Sequence, residues 1–380
     1  MSDKGVSEDM RAVKYLGNRK CRVDDIPLPE IGPKEVLVKI KVSCICGSDL
    51  WGYRTSDGAL EPLSETIVEV SKIPVPGHEP SGIVEKIGSC VSKVKIGERV
   101  AVYHKRGCGK CQYCLEGKFY FCKSAKAISE HIDGSCAEYL LIDEINCLNL
   151  PDTLSFNDGA VLMCAGGTAF SGIKKLDLSG ADVIAIIGMG PIGMCSLVFA
   201  KAFGAKTIAV DLNENRLKLA KSFGADHVIN CKNDIMVDNV YEVSPGIPMK
   251  SMLSVKNIYD ITNGNGASAV ALGTGNIQAR INAIDCAAKG GKVVLMGMSE
   301  GNSLKGDLQK SFESVILKEL KIFGSNVFSI NEYWEIIKFM ELNKISIGKV
   351  ITDKFSIDDC QKAFALADTE STGKVAIVLE

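Results

Sequence analysis

The chain reads as an α/β protein of two domains, a β-rich domain followed by a doubly wound parallel sheet. Three observations predict this. At 380 residues the chain exceeds the length, about 250–300 residues, at which a single hydrophobic core stops growing. Its early part holds short apolar–charged alternations punctuated by glycine and proline. After Ala165 apolar strand-like runs alternate with helix-like stretches, the pattern of strand–helix–strand crossovers.

The elements follow in order. Val36–Val42 alternates apolar and charged residues, as a half-buried strand does. Gly82–Gly88 and Arg99–Tyr103 are further short strands, and between Arg106 and Lys126 the cysteines crowd. Val183–Ile187 is a continuous apolar strand, followed by a glycine turn and a helical pattern over Met194–Phe203. Thr207–Asp211, His227–Asn230 and Lys292–Gly297 are strands, with a helix over Asn215–Phe223. Asp234–Lys256, interrupted by Pro245, Gly246 and Pro248, reads as an irregular inserted loop. From Asn331 to Glu380 come two helix-like runs and a closing strand, Lys374–Leu379. Val183–Ala200 has the length of a membrane span, but three glycines and Pro191 divide it, so no membrane partner is expected.

Charged residues make up 24% and the formal net charge is −2, which gives no pull toward nucleic acid or an anionic surface. Met1–Lys20 carries charges throughout and has no apolar core, so a cytoplasmic rather than secreted chain is expected. Its fifteen cysteines then read as thiols and metal ligands rather than disulfides. With only four histidines, any metal site must rest mostly on sulfur.

Gly188-Met-Gly190-Pro191-Ile192-Gly193 matches G-x-G-x-x-G in the required setting, with a strand before it and a helix after it. The first glycine permits the tight turn, the second lets a pyrophosphate approach the backbone, and the third lets helix and strand pack closely. The helix N-terminus favours the phosphate charge. Asp211, 18 residues beyond Gly193, stands where an acid binds a ribose 2′-hydroxyl and repels a 2′-phosphate, which favours NAD over NADP.

Cys108, Cys111, Cys114 and Cys122 are spaced C-x2-C-x2-C-x7-C. Four thiolates this close suit tetrahedral zinc in a closed, structural site. An iron–sulfur cluster is the rival, because the first three also fit a ferredoxin run. That run continues x3-C-P, whereas here seven residues intervene and Lys123 follows Cys122.

Cys46-Gly-Ser48-Asp49 and Gly77-His78-Glu79 are two further polar clusters. With Gly82, Gly88 and Val91, the second resembles the zinc signature of the medium-chain alcohol dehydrogenase family, and the resemblance runs from Val36 to Leu379. The resemblance implies a GroES-like catalytic domain over 1–165, a Rossmann coenzyme domain over 166–324, and a 325–380 tail returning to the first domain. It also implies a catalytic zinc on Cys46, His78 and Cys164, with Glu79 as an occasional fourth ligand, so that each chain would carry two zincs and NAD. Asp49 resembles the acid that fixes the ligand histidine's tautomer, Thr168 the threonine behind the nicotinamide, and Arg216 the basic residue beside the adenine ribose. A homodimer or homotetramer is implied as well.

The expected chemistry is hydride transfer between an alcohol and NAD, with Ser48 as first proton acceptor. The substrate is a polyol or secondary alcohol, or alternatively a hydroxy amino acid such as L-threonine. The Cys-Gly-Ser-Asp form leans toward the polyol and threonine branch, Cys164 toward simple alcohols. Two features depart from many relatives. Trp51 stands where a relay histidine is common, leaving His104 and His131 as substitutes to weigh, each more plainly an ordinary structural histidine. The Cys46–His78 gap is also long, and its Gly52–Val75 loop is expected over the substrate mouth, with Trp51 lining the pocket. A zinc-free reductase would lack the cysteine and histidine ligands. A non-catalytic NAD-binding relative would have lost part of the set, yet Cys46, Ser48, Asp49, His78, Glu79 and Cys164 are all present.

Overall fold

The computed structural model describes residues 8–56, 74–244, 246–298 and 308–380. They divide into two compact units, Met1–Cys164 with Ser329–Glu380, and Ala165–Phe328.

The first unit is built on a seven-stranded sheet. Glu35–Ile45 is its hub: it pairs antiparallel with Glu79–Ile87, with Lys374–Val378 and with Tyr139–Asp143. Its apolar residues Val36, Leu37, Val38, Ile40 and Val42 are all buried, while Lys39 and Lys41 between them are half-buried. Arg99–Val102 and Cys147–Asn149 continue the sheet on one side, and Ile351–Phe355 lies parallel to Lys374–Val378 on the other. An N-terminal hairpin, Asp9–Gly17 and Lys20–Pro27, turns on Asn18 and Arg19. Both have left-handed φ, 51° and 59°, which suits the right-handed strand twist. Tyr15 from this hairpin and Tyr53 from the Asp49–Arg54 helix each set a ring centroid 5.5 Å from that of Phe364, which lies on the Cys360–Asp368 helix.

The second unit holds a six-stranded sheet, parallel throughout. Its order is His227–Asn230, Lys206–Asp211, Val183–Ile187, Ala267–Leu272, Ala287–Leu295, Lys321–Gly324. In order of chain appearance this is 3-2-1-4-5-6, the doubly wound arrangement whose switch point flanks the first strand. The apolar run that matched a membrane span in length is this central strand plus the Pro191–Ala202 helix. Among the described residues no helix is long and apolar enough to cross a membrane.

The Asp234–Lys256 stretch corrects the sequence reading. It is an antiparallel hairpin, Met236–Ser244 and Ile247–Met252, leading into the Leu253–Ile261 helix. Pro248 misled because each strand of a two-stranded ribbon is an edge strand, where proline is tolerated; it stands opposite Glu242. The ribbon joins the core through Val240, Tyr241 and Val243. Tyr241 stacks on Tyr259 at 5.2 Å with an interplanar angle of 4°, and its hydroxyl donates to Asp285 Oδ1 at 2.9 Å. The Lys318 ammonium lies 3.9 Å from the Tyr241 ring centroid and donates to the carbonyls of Asp285 and Ala287. The long Gly52–Val75 loop also reads differently at its start, since Gly52–Arg54 belong to the Asp49–Arg54 helix. Residues 57–73 lie outside the described residues.

Because Tyr241 packs the ribbon into the core, Tyr241→Ala should cost about 3–5 kcal/mol, the usual loss for a buried aromatic. Urea unfolding of the variant against the parent measures it, and a loss below about 1 kcal/mol would mean that the ribbon is peripheral.

Candidate metal centres and cofactor cradle

Three strand ends converge in the first unit. Cys46 follows the end of Glu35–Ile45, and His78 precedes Glu79–Ile87. The antiparallel register sets Cys44 opposite Glu79 and so brings these ends side by side. Val375 pairs with Ile45, so one further step along the register sets Lys374 opposite Cys46. Gly77 has φ +91°, and a Cβ there would come within 2.6 Å of Cys136 Sγ, so the close approach before His78 demands glycine. Cys164 arrives from another direction, in a π-helical turn over Leu162–Gly166 between the Phe156–Val161 and Gly167–Lys175 helices. Such bulges re-aim one side chain out of a helix and gather at functional sites.

Ligand atoms of Cys46, His78, Glu79 and Cys164 lie within 4.8 Å of one another. His78 and Glu79 are buried, and Cys46 and Cys164 are half-buried. Asp49 ties the group together. Its Oδ2 accepts from the Cys46 amide at 2.8 Å, and its Oδ1 from the Gly77 amide at 3.2 Å and from His78 Nδ1 at 3.1 Å. The Nδ1 contact leaves the other ring nitrogen as the free donor atom of His78.

The charges fit a metal. Contact with Cys164 holds the Cys46 thiol well below the ordinary range against its burial, helped by Lys374 and His78. The same contact, with burial, pushes Cys164 up. Burial disfavours a charged His78, yet Asp49 and Cys46 outweigh it and raise its pKa well above the ordinary value. Burial pushes the Glu79 carboxyl up, opposed by Lys374, whose ammonium donates to Oε1 at 2.6 Å. The other oxygen, Oε2, is buried without a hydrogen-bond partner. Two cysteine sulfurs and one imidazole nitrogen make a three-donor set suited to zinc with a fourth position open, and the Glu79 carboxylate stands beside them.

Lys374 escaped the sequence reading, which took it as the start of an apolar strand. Only 1% of it is exposed. Its signal was a lysine opening an otherwise apolar run, but its partner lies 295 residues away. Ser48 is half-buried before the Asp49–Arg54 helix, and its side chain makes no capping bond there. Trp51 is half-buried in the same helix. The two histidines weighed as proton outlets are engaged locally. His104 Nδ1 donates to Met163 O at 2.7 Å, and burial with Lys105 and His78 nearby holds its pKa well below the ordinary value. His131 Nδ1 accepts from the Ala127 amide at 3.2 Å.

The sulfurs of Cys108, Cys111, Cys114 and Cys122 also lie within 4.8 Å of one another. The Cys108–Cys114 separation is 4.0 Å, near the edge of about 3.8 Å that four Zn–S bonds of about 2.3 Å require. Backbone amides of Lys110 and Cys111 hold Cys108 down to about 6, and burial pushes Cys114 up to about 12.

In the second unit the turn from Gly188 to Gly193 leads into the Pro191–Ala202 helix, with Gly190 as N-cap and Pro191 and Ile192 opening the first turn. A Cβ on Gly193 would fall 1.9 Å from Gly188 O, so the third glycine is sterically required. Asp211 is buried at the end of the adjacent strand. Its Oδ2 accepts from the Met189 amide at 2.6 Å and its Oδ1 from the Asn213 amide at 2.7 Å. Arg216 places its Nη1 3.9 Å from where a Cβ on Gly190 would stand. Thr168 is buried in the Gly167–Lys175 helix.

The family model described as zinc-binding dehydrogenase matches residues 191–341, and the one described as alcohol dehydrogenase GroES-like domain matches 32–152. The uncharacterized zinc-type alcohol dehydrogenase-like protein YphC of Escherichia coli K12 is 32% identical over 376 residues, 97% of this chain and 98% of that protein. L-threonine 3-dehydrogenase of Francisella tularensis subsp. novicida is 31% identical over 357 residues, 93% of this chain and 95% of that protein. Among solved structures, galactitol-1-phosphate dehydrogenase from Escherichia coli superposes with a TM-score of 0.80 at 25% identity, covering 97% of this chain and 100% of that one.

The Glu79–Lys374 pair generates a stability prediction. Lys374→Met should cost about 3–5 kcal/mol by stranding a buried carboxylate, and Lys374→Met with Glu79→Gln should recover most of it. Chemical denaturation of the two variants decides. A double variant no better than the single one would mean that Lys374 matters for packing and not for charge.

Proposed function

Because the chain belongs to the zinc-type alcohol dehydrogenase family, we propose that it is a zinc- and NAD-dependent oxidoreductase. It transfers a hydride between a polyol or secondary alcohol and NAD, giving a ketone or aldehyde. The observation that carries this reading is the three-ligand cluster of Cys46, His78 and Cys164, with the unpartnered Glu79 oxygen beside it.

Zinc there supplies the Lewis acidity that lowers an alcohol's pKa, and NAD supplies the hydride acceptor. The chain's residues do the rest. Cys46, His78 and Cys164 hold the metal, with Asp49 fixing the histidine tautomer. Lys374 donates to one oxygen of Glu79, and the other oxygen is left without a hydrogen-bond partner beside the cluster's residues. Ser48, two residues after Cys46, takes the alcohol proton, and water carries it onward. Cys108, Cys111, Cys114 and Cys122 hold the second, structural zinc. Asp211 binds the adenine ribose hydroxyls and disfavours a 2′-phosphate, with Arg216 beside it and Thr168 behind the nicotinamide. A second reading, oxidation of an L-threonine-type hydroxy amino acid, is favoured by the 31% identity to the threonine dehydrogenase and by the Cys46-Gly-Ser48-Asp49 form.

NADH formation by zinc-loaded protein over polyols, short secondary alcohols and L-threonine, with NADP in parallel, tests substrate and cofactor together. Turnover is expected with NAD and a polyol or secondary alcohol, and Asp211→Ser should shift preference toward NADP by at least about tenfold. Activity with NADP alone would overturn the role given to Asp211. Metal analysis should find two zincs per chain, with Cys164→Ser and Cys114→Ser each losing one. Cys164→Ser should abolish turnover while leaving thermal stability near that of the parent, whereas Cys114→Ser should lower the melting temperature.

A further inference from the structure

The loop at Ala127–Ile132 reaches the same histidine from a direction that the sequence motifs did not indicate. Its shape is set by backbone bonds. The Ile128 amide donates to His104 O at 3.1 Å, the Ser129 amide to Ile132 O at 2.9 Å, and the His131 amide to Ala127 O at 3.0 Å. Within this turn Ser129 has φ +66°, a left-handed conformation that serine rarely adopts and glycine adopts freely. The strained residue is the one whose hydroxyl meets the candidate site. Ser129 Oγ lies 3.2 Å from Asp49 Oδ1 and 3.3 Å from His78 Nδ1.

We propose that Ser129 is a positioning residue for the His78 ligand. Its hydroxyl hydrogen bonds to Asp49 Oδ1, and its oxygen shares the His78 Nδ1–H with that carboxylate. The proposal rests on the reading of Cys46, His78 and Cys164 as a zinc shell. Asp49 Oδ1 takes two other donors, the Gly77 amide and His78 Nδ1, both on the segment that carries the histidine. Ser129 supplies the donor from a separate loop, so it restrains the carboxylate and ring from a side that the histidine's own segment does not reach. A residue needed only for the turn would be better as glycine, which relieves the positive φ and keeps every backbone bond. Serine in that conformation therefore points to a use for the hydroxyl. Loss of such an outer contact to a ligand histidine typically costs 10–100-fold in metal affinity.

Ser129→Gly separates the two roles. Zinc affinity is read by titrating metal-free full-length protein against a chromophoric chelator, and melting temperature is read on the same samples. The expected result is an unchanged or higher melting temperature with roughly tenfold weaker binding at one site, accompanied by a shifted visible spectrum of the cobalt-substituted protein. Ser129→Ala should weaken zinc equally but lower the melting temperature, because it keeps the strain and loses the hydroxyl. Parental zinc affinity and an unchanged cobalt spectrum in Ser129→Gly would overturn the proposal. His78→Ala serves as the control. If it does not remove one zinc, the shell itself is misassigned; if it does while Ser129→Gly binds as the parent does, only the inference about Ser129 fails.

Discussion

Four donors from three stretches of chain meet on the carboxylate of Asp49: the Cys46 amide, the Gly77 amide with His78 Nδ1, and the Ser129 hydroxyl. The candidate metal centre depends on this convergence. Cys46 and His78 lie at neighbouring strand ends, and Asp49, three residues after Cys46, holds the turn before His78 as well as its own. One carboxylate that accepts from both backbones makes the two turns a single object. It also sets the histidine tautomer, so backbone placement and ligand chemistry are decided by the same atoms. Tyr15 extends the brace, its hydroxyl donating to Asp49 O at 2.6 Å from within the aromatic packing around Phe364.

The second unit repeats the device. Asp211 accepts from the Met189 amide inside the glycine turn and from the Asn213 amide ahead of the next helix. A strand-end acid assigned to ribose is thus also the clamp on the turn expected to receive the pyrophosphate. In both units a buried aspartate collects backbone N–H groups at the end of a strand. The loop then holds its shape through backbone hydrogen bonds without bulky side chains.

The buried Glu79–Lys374 pair belongs to a different economy. Taking both charges out of water costs several kcal/mol per ion, and one contact at 2.6 Å does not make it an obvious gain. Lys374 reaches Glu79 because the C-terminal strand is laid antiparallel on Glu35–Ile45, so the end of the chain delivers a cation to the beginning of the candidate site. The pair sits against the ligand cluster, and Glu79 keeps one oxygen unpartnered. Tolerating such a pair makes sense where an adaptable carboxylate is useful, and less sense as a source of stability.

How much of this could be read in advance follows from the range of each interaction. The glycine turn, the four-cysteine lobe and the alternating strand–helix texture are local, because their chemistry is specified by spacing within about twenty residues, and they were legible. Cys46, His78 and Cys164 were assignable only through resemblance to a family, since nothing local marks a lone cysteine or histidine as a ligand. The Met236–Met252 hairpin was hidden because Pro248, which reads as a breaker along the chain, is accommodated opposite Glu242 in an edge strand, a fact of pairing and not of composition. Lys374 and Ser129 were invisible for a stricter reason: their partners stand 295 and 80 residues away, in registers that exist only once the sheet and its loops have closed. By itself the sequence determined the fold class, the four-cysteine spacing and the glycine turn, all set by neighbours along the chain. Tertiary structure alone decided which buried charge meets which ligand, because hydrogen bonds act over about three ångströms of space irrespective of distance along the chain.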